Sequence, residues 1–586
     1  MSTKSVKSDQ VSSIQISAMS TKSGISEPGS TPRVSPMSTE VDMSEKIPVQ
    51  SRSSVSDDGK DLKTKRSVTF MPELESNDVK TTDPRTPLLQ HKIIMFALCA
   101  TVFAVSLDTF IMTNTLPTIA KDFDISDAGF AWIGSAYMLG FGVVVPFWAN
   151  ISNVFGRRVI LIITSAVFFI GTVIGALSKN IAILLGGRAV QGIGGGGLVV
   201  LANICVGDLF SVRERGLYFG VVGAVTAVAS ASGPTIGGVL SEKASWRWCF
   251  WILVPFNVMS FVVLVFFLKL DSPKIPLLEG LKRVDWLGSI TIVGATLMLL
   301  IGLQMGGTSA PWNSLLVILL ITFGALGFVF FVVVEWKIAK PPLMPLKFFN
   351  RISTISTLGV NISQSFITTG CTYFLPLYFQ IVLNASPIMS GVYFLPTTAV
   401  LALFFIFVGY VVKRTGKYKL LIQVGAAALF LSTGLFIHLQ PHADWPLIIL
   451  TEVLIAIGLG LTYQAPLIAF HAQIDEADVA AGTSAFQFIK TLSQTMSVIF
   501  GQVIFQSQIQ RQADILQVAG LPASYISSLS SGNAISTAAI SSRINHEQQK
   551  AVRTVMTTAF NDMWIFYAVV AFLGFVASFG IRKVKL

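Results

Sequence analysis

Apolar residues of this chain gather in long unbroken runs that are separated by short polar segments. From Ile93 onward we count fourteen runs of roughly 20 residues, the length at which a helix crosses about 30 Å of hydrocarbon. The runs span residues 93–117, 129–150, 159–178, 181–205, 216–240, 248–269, 286–305, 314–336, 353–377, 387–412, 419–439, 446–468, 479–506 and 563–581. The pattern predicts an all-α polytopic membrane protein with fourteen transmembrane helices.

The first 90 residues have the opposite character. Residues 1–90 are rich in Ser, Thr, Asp and Lys and lack periodic apolar positions, so they cannot bury enough apolar surface to fold. We expect a disordered cytoplasmic tail without the apolar core of a cleavable signal peptide. Residues 54–58 (SVSDD) and 66–69 (RSVT) are typical of phosphorylation sites, which makes protein kinases candidate partners of this tail.

Composition and charge support the membrane interpretation. Apolar residues make up 52% of the chain and charged residues only 12%, whereas a soluble protein carries about a quarter charged residues. The net charge is +11, but residues 1–90 hold equal numbers of acidic and basic side chains. The excess therefore belongs to the membrane part, which excludes a basic nucleic-acid-binding arm as its source.

Basic residues concentrate in alternate loops. With the N-terminus in the cytosol, the inner connections carry Arg157, Arg158, Lys413 and Arg414 among many others, while the short outer loops carry few. This asymmetry predicts that both termini are cytoplasmic. The acidic inner loop at residues 471–478 breaks the pattern.

Two connecting loops reveal an internal repeat. Residues 149–158 join the second and third runs, and residues 409–419 join the tenth and eleventh. In each loop a small residue stands seven positions before a glycine, Gly156 or Gly416, and basic residues follow. Two six-helix halves related in this way build one large class of secondary transporters, whose binding site lies near mid-membrane between the halves.

The repeat divides the chain into four parts. Residues 1–90 form the tail, 91–270 the N-terminal six-helix half, 271–350 two inserted linker helices, and 351–586 the C-terminal six-helix half. A long outer segment at residues 507–561 lies between the last two runs, and we expect it to be partly helical and to cap the exit.

One motif lies inside the fifth run. Glycine and proline at residues 232–238 (SGPTIGG) weaken the helix, and the small residues within 227–231 let a second helix approach closely. The ordered spacing of Gly233, Pro234, Gly237 and Gly238 resembles the antiporter motif in the fifth helix of major facilitator exporters.

Three further segments carry the same resemblance. Residues 107–110 with 116–117 are similar to the first-helix motif of the fourteen-span drug:proton antiporter family. Residues 188–192 (RAVQG) match the fourth-helix element of the superfamily, and residues 386–396 resemble a tenth-helix pattern of fungal members. With four motifs in order, the chain resembles a fungal multidrug or toxin efflux protein with the major facilitator fold.

The loop after the second run departs from the family pattern. That pattern reads Gly-x-x-x-Asp, but Ala149 and Asn153 stand in those places. The resemblance implies a gating loop of Asn153, Gly156, Arg157 and Arg158 that latches one state through charge contacts. The neutral Asn153 can take part only by hydrogen bonding.

Ionisable residues inside the runs are costly to bury and mark transport pathways, and four of them are the clearest candidates. They are Asp108, Arg188, Glu452 and Lys490. The resemblance implies that Asp108 alternates between a protonated and a substrate-engaged state, and that Arg188 with Gln191 transfers a proton or gates. The alternatives are a fixed counter-charge at Asp108 and a structural hydrogen-bond hub at Arg188.

Two of these residues have further alternatives. Glu452 stands about two turns inside the outer face of the twelfth run, so it either couples protons or faces an outer vestibule. Lys490 stands where the similar fungal segment usually has arginine. It either contacts substrate or pairs with an acid across the bundle.

Polar and aromatic side chains near the middle of the runs are candidates for the substrate cavity. They are Asn114, Tyr137, Gln191, Asn361, Gln364, Tyr373, Tyr463, Gln464, Gln487 and Lys490. An apolar and aromatic cavity with few charges suits amphipathic organic compounds.

These features predict a monomeric, proton-coupled antiporter that exports amphipathic drugs, toxins or secondary metabolites across the plasma membrane. Its partners are the small-molecule substrate, protons and the lipid bilayer, without nucleic acid. A vacuolar basic amino-acid transporter of the same fold is the first alternative, and a non-transporting membrane sensor is the second. No catalytic constellation is present, the four cysteines lack metal-ligand spacing, and we expect no enzyme activity, no metal and no cofactor beyond the proton gradient.

Overall fold

The computed structural model describes residues 88–123, 127–268, 276–306, 310–339, 342–530 and 545–584. All of them belong to the second of two units, Val79–Leu586. The tail motifs at residues 54–58 and 66–69 lie outside the described residues.

The described residues are mainly helical and form no β-strand. In chain order the α-helices are α1 (Leu88–Asp122), α2 (Asp127–Val143), α3 (Val145–Phe155), α4 (Arg157–Ala176), α5 (Ile181–Leu209), α6 (Val212–Lys243), α7 (Trp248–Trp251), α8 (Leu253–Phe267), α9 (Leu277–Arg283), α10 (Trp286–Met305), α11 (Leu315–Lys337), α12 (Ile352–Ile381), α13 (Pro387–Tyr393), α14 (Leu395–Thr415), α15 (Lys419–Phe436), α16 (Trp445–Thr462), α17 (Ala465–His471), α18 (Val479–Arg511), α19 (Ala513–Val518), α20 (Ala523–Ser530) and α21 (His546–Phe579).

Thirteen helical segments of the described chain are long and apolar enough to cross a membrane. They match thirteen of the predicted runs, which confirms an integral membrane protein. The run at 353–377 forms the 30-residue helix α12 but is not among the thirteen. Polar side chains such as Asn361 and Gln364 lower its hydropathy, and both are buried inside the bundle. The total of fourteen therefore remains a prediction.

Helix packing repeats between the two predicted halves. In the first half α1 packs on α6 and α8, α4 packs on α5 and α8, and α5 also packs on α2. In the second half α12 packs on α18 and α21, α15 packs on α16 and α21, and α16 also packs on α14. The pairings correspond helix for helix, as the loop repeat predicts. The exact domain boundaries remain a prediction.

Prolines interrupt the second helix of each half, but at different depths: the break lies 12 residues before Gly156 in the first half and 22 residues before Gly416 in the second. The chain turns at Val144 before Pro146 and at Phe394 before Pro396, with similar backbone angles (φ −89° and ψ −5°; φ −81° and ψ −7°). In contrast, α6 continues through Pro234 over its full 32 residues. Helix α6 is thus continuous at the antiporter motif, because one missing N–H is tolerated where neighbouring helices pack tightly.

We call the end of the bundle with the Gly156 and Gly416 turns the turn end. Both glycines have positive φ, 89° and 65°, which favours glycine there. At this end the guanidinium of Arg213 donates to the carbonyl oxygens of Lys413 (2.8 Å) and Arg414 (2.9 Å), joining the two halves. In addition, α18 packs more extensively against α3 than against α2. The halves are therefore closed against each other at the turn end.

The segment at 507–561 is partly helical, as expected. It contains α19, α20 and the first part of α21. Leu516, Ile526 and Leu529 are buried in one apolar cluster with Phe505 and Phe560 of the C-terminal half. The segment extends the core of its own half, and a role in capping the exit remains a prediction.

Candidate functional site

A fully buried ion pair joins the first and fourth spans. One terminal nitrogen of Arg188 on α5 donates to both carboxylate oxygens of Asp108 on α1, at 2.9 Å each. Asp108 is 0% exposed and Arg188 is 2% exposed. A buried charge pair is costly to break, because removal of one partner leaves the other charge without compensation.

Gln191 completes the network one turn along α5. Its side-chain oxygen accepts from Arg188 (2.8 Å), and its amide nitrogen donates to Asp108 (3.0 Å) and to the hydroxyl of Thr172 (3.0 Å). The ring of Tyr137 lies beneath the guanidinium, 4.3 Å from the ring centroid to Cζ. The sequence motif thus builds a connected cluster of four helices, α1, α2, α4 and α5.

The antiporter motif packs against the turn that follows Asp108. A Cβ atom added to Gly233 would lie 2.7 Å from the Cβ of Phe110, and one added to Gly237 would overlap the carbonyl oxygen of Ile111. The glycine face of α6 therefore lets α1 approach closely, which is the packing that the small residues predict. Pro234 lies between these glycines, and Gly238 faces only Ile388 at 3.8 Å.

Glu452 occupies the position in the second half that Arg188 occupies in the first. Each is the eighth residue of its helix, and each helix starts with a side-chain cap, Asn180 or Asp444. Glu452 is 0% exposed, and neither of its carboxyl oxygens has a hydrogen-bond partner among the described residues. A charged carboxylate is costly in such surroundings. It does not face an open vestibule in this structure.

Lys490 lies against an aromatic ring. Its ammonium is 3.6 Å from the centroid of the Tyr463 ring, and its side chain is almost fully buried. In the described part of the chain no carboxylate forms an ion pair with it. The acid that we expected across the bundle is therefore replaced by a cation–π contact.

The remaining cavity candidates fall into three groups. Asn361 donates to the Phe486 carbonyl (3.1 Å) and Gln364 to the Thr368 hydroxyl (2.7 Å), so both amides serve helix contacts. Tyr373 is 43% exposed and accepts from Gln502 (3.0 Å). The buried residues Gln464 and Gln487 lie next to Tyr463 and one turn before Lys490 along the chain, and the side chain of Asn114 lies outside the described residues.

The predicted gating loop forms its own network at the turn end. Arg157 donates to Asp208 (3.0 Å), to Ser152 (2.8 Å) and to the side-chain oxygen of Asn153 (2.5 Å). Arg158 donates to the Val265 carbonyl (2.5 Å) within the same half. The amide of Asn153 thus hydrogen-bonds where the family pattern has a carboxylate, and Asp208 supplies the charge.

The sequence did not predict the residues that contact the candidate site residues. Thr172 and Asp208, which bind Gln191 and Arg157, and Arg213, which joins the halves, were not identified as functional. The direction in which a helix side chain points cannot be obtained from apolar runs alone. Asp208 carried the one usable signal, a lone acid at the inner end of the fourth run.

Several curated proteins are similar to this chain over most of its length. An "MFS-type transporter ppz2" of Metarhizium majus is 41% identical, covering 84% of this chain and 85% of the relative. An "Efflux pump dotC" of Dothistroma septosporum is 39% identical, with 84% of each chain covered. An "Efflux pump FUS6" of Gibberella moniliformis is 31% identical, covering 84% of this chain and 88% of the relative.

A solved structure and a family model agree with these relatives. The crystal structure of the human organic anion transporter MFSD10 (TETRAN) superimposes with a TM-score of 0.51, covering 83% of this chain and 98% of that one. At 13% identity this likeness shows the fold alone. The family model described as Major Facilitator Superfamily matches residues 98–498, a range that includes the buried Asp108–Arg188 pair and both repeated loops. The chain belongs to the Major Facilitator Superfamily.

Proposed function

We propose that this transporter exports amphipathic organic compounds from the cytosol in exchange for protons. The observation that carries the proposal is the fully buried Asp108–Arg188–Gln191 network beside the glycine face of α6. A buried carboxylate held by hydrogen bonds from an arginine and a glutamine is a group whose protonation changes its contacts at once. The similarity to fungal proteins named efflux pumps supports the direction of transport.

The proposed cycle couples the charge of Asp108 to helix packing. Protonation of the Asp108 carboxyl removes its attraction for Arg188, while the side-chain oxygen of Gln191 can still accept from the guanidinium. The turn that carries Asp108 leads directly to Ile111, which packs on Gly237 of α6. Since α6 also packs along α14 of the other half, a shift of α1 reaches the interface at which the halves rock.

Substrate and location remain parts of the proposal. Half-buried aromatic rings such as Tyr463 and few unpaired charges favour apolar molecules with a polar group. We propose a monomer in the plasma membrane, with cytosolic termini and the proton gradient as the source of energy. Protein kinases would act on the tail at residues 54–58 and 66–69.

Proteoliposomes with an imposed pH gradient test the proposal. The full chain should drive the amphiphile phenylnaphthylamine against its gradient, and Asp108→Asn should abolish this proton-driven transport while gradient-free exchange persists. Asp122→Asn, which changes an exposed acid paired with Arg247, is the matched control and should transport normally. Full proton-driven transport by Asp108→Asn contradicts the proposal.

The alternatives predict different results. Uptake of lysine or arginine by vacuolar vesicles, together with a vacuolar location of the tagged protein, would favour the amino-acid transporter. Deletion of residues 1–85 would abolish the output of a sensor, whereas an exporter keeps its transport.

A further inference from the structure

The ammonium of Lys490 is a buried cation whose nearest described partner is a ring. Lys490 is 6% exposed, and the Tyr463 ring centroid lies 3.6 Å from its Nζ. Arg188, the other buried cation of the spans considered above, already binds Asp108. Glu452 precedes Tyr463 by eleven residues along the same span, which places it roughly 16 Å away along the helix axis. No carboxylate of the described residues therefore neutralises Lys490.

The hydrogen-bonded helix is interrupted next to this ammonium, although Tyr463 and Gln464 keep right-handed helical backbone angles. Helix α16 ends at Thr462 and α17 begins at Ala465, so Tyr463 and Gln464 form a break inside one span. Pro466 causes the break, because it has no N–H to donate to the carbonyl of Thr462. Interrupted helices of this kind form substrate sites in secondary transporters, since they expose polar groups at mid-membrane.

Aromatic contacts connect this break to the opposite half. The Tyr463 ring lies 4.8 Å from the Phe405 ring, centroid to centroid. A Cβ atom added to Gly223 on α6 would lie 3.0 Å from the Phe405 ring. The Lys490–Tyr463–Phe405 stack therefore reaches the interface at which the two halves meet.

The next residue of α18 touches the first half as well. A Cβ atom added to Gly142 on α2 would lie 2.9 Å from Cγ2 of Thr491. Gly142 follows Tyr137, the residue beneath Arg188, by five positions on the same helix. The turn of α18 that carries Lys490 therefore lies at a contact between the two halves.

We propose that Lys490 binds the acidic group of the transported molecule, and that the substrates are organic anions with a flat apolar body and a carboxylate, phenolate or sulfonate. The inference rests on the proposed export function and narrows its substrate class. The Tyr463 ring contacts the ammonium in the structure, and the acidic oxygen of a substrate is the stronger partner for it. The Tyr463–Phe405 pair offers the apolar body an aromatic surface for stacking.

A pair of probes that differ in one group tests the proposal. Anilinonaphthalene sulfonate carries a sulfonate on the ring system of neutral phenylnaphthylamine, and both are followed in proteoliposomes under a pH gradient, with protein-free vesicles subtracted. Lys490→Met should lower kcat/KM for the sulfonate at least about tenfold, which is the loss of one charge-assisted contact. Transport of phenylnaphthylamine, which has no acidic group, should fall by a clearly smaller factor, so the preference for the sulfonate drops. Lys490→Arg, which keeps the charge, should retain transport of the sulfonate.

The outcomes separate this inference from the export function. The anion site is overturned if Lys490→Met loses transport of both probes equally or keeps the native preference between them. Proton-driven transport of phenylnaphthylamine by the native chain would still support export in that case. Failure of the native chain to move phenylnaphthylamine contradicts export itself.

A binding measurement tests the anion site even if the native chain does not transport phenylnaphthylamine or a variant transports poorly. Benzenesulfonate should raise the thermal unfolding midpoint of the purified full-length chain and of Lys490→Arg, because a ligand that binds only the folded state stabilises it. Neutral benzenesulfonamide should shift the unfolding midpoint equally in the native chain, Lys490→Arg, Lys490→Met and Lys490→Gln. Equal shifts with benzenesulfonate in all four proteins would overturn the anion site.

Discussion

Gly237 of α6 lies so close to Ile111 of α1 that an added methyl group would overlap the carbonyl oxygen of Ile111. Ile111 follows Asp108 by three residues, so the glycine face of the antiporter motif fixes the turn on which the proposed coupling acid is held. The motif itself contains no titratable group. Its contribution is to set the distance between two helices.

Gly237→Ala should therefore impair transport, although alanine favours a helix more than glycine does. The added methyl group forces α1 and α6 apart, at a cost of about 1–3 kcal/mol. Proton-driven efflux and the thermal unfolding midpoint should both fall. Gly238→Ala is the matched control, because its added Cβ meets only Ile388 at 3.8 Å. Equal behaviour of the two variants would refute the role of close packing.

Variants of the Asp108–Arg188 pair should affect the stability of the chain and its proton-driven transport differently. Arg188→Met leaves the buried carboxylate unpaired, which should destabilise the chain by roughly 3–5 kcal/mol and lower its unfolding midpoint. The double variant Asp108→Asn/Arg188→Gln restores neutrality and should recover most of that midpoint. It should still lack proton-driven efflux. Recovery of coupled transport in the double variant would mean that the pair is only structural.

Glu452 should behave as a second proton carrier. Both of its carboxyl oxygens lack partners in the described part of the bundle, so Glu452→Gln keeps the shape of the side chain and breaks no hydrogen bond of the observed conformation. The unfolding midpoint should stay unchanged, while the number of protons moved per substrate should drop. Measurement of the proton-to-substrate ratio at several membrane potentials shows whether Glu452 carries a proton. An unchanged ratio would identify Glu452 as a permanently neutral acid.

The sequence predicted the helices far better than the contacts. Apolar runs defined thirteen spans because lipid demands long apolar helices, but the same criterion weakens for α12, whose Asn361 and Gln364 point into protein. Spacing indicated that Asp108 and Arg188 were functional, yet not that they bind each other. Likewise, Tyr463 contacts Lys490 from an interruption of the helix, since α16 ends at Thr462. A run of apolar residues does not predict where a helix is interrupted or which side chains then meet.

The Arg213 contact should hold the turn end closed. Its guanidinium donates to the last carbonyls of α14, which lack helical partners and carry partial negative charge. Arg213→Ala removes both bonds, at about 1.5–3 kcal/mol for a contact to a charged group, and should shift the population toward a state open at this end. Distances between spin labels at Val159→Cys and Lys417→Cys report the shift, since both positions are exposed in different halves.

Arg158→Ala is the matched control for this measurement. Arg158 also donates to a helix carbonyl, that of Val265, but both residues belong to the first half. Its loss should leave the distance between the labels unchanged, whereas Arg213→Ala should lengthen it. If both variants lengthen the distance equally, or neither does, the bond between the halves does not set the closed state, and the proposed gate must lie in the packing of α18 against α3 and α5 instead.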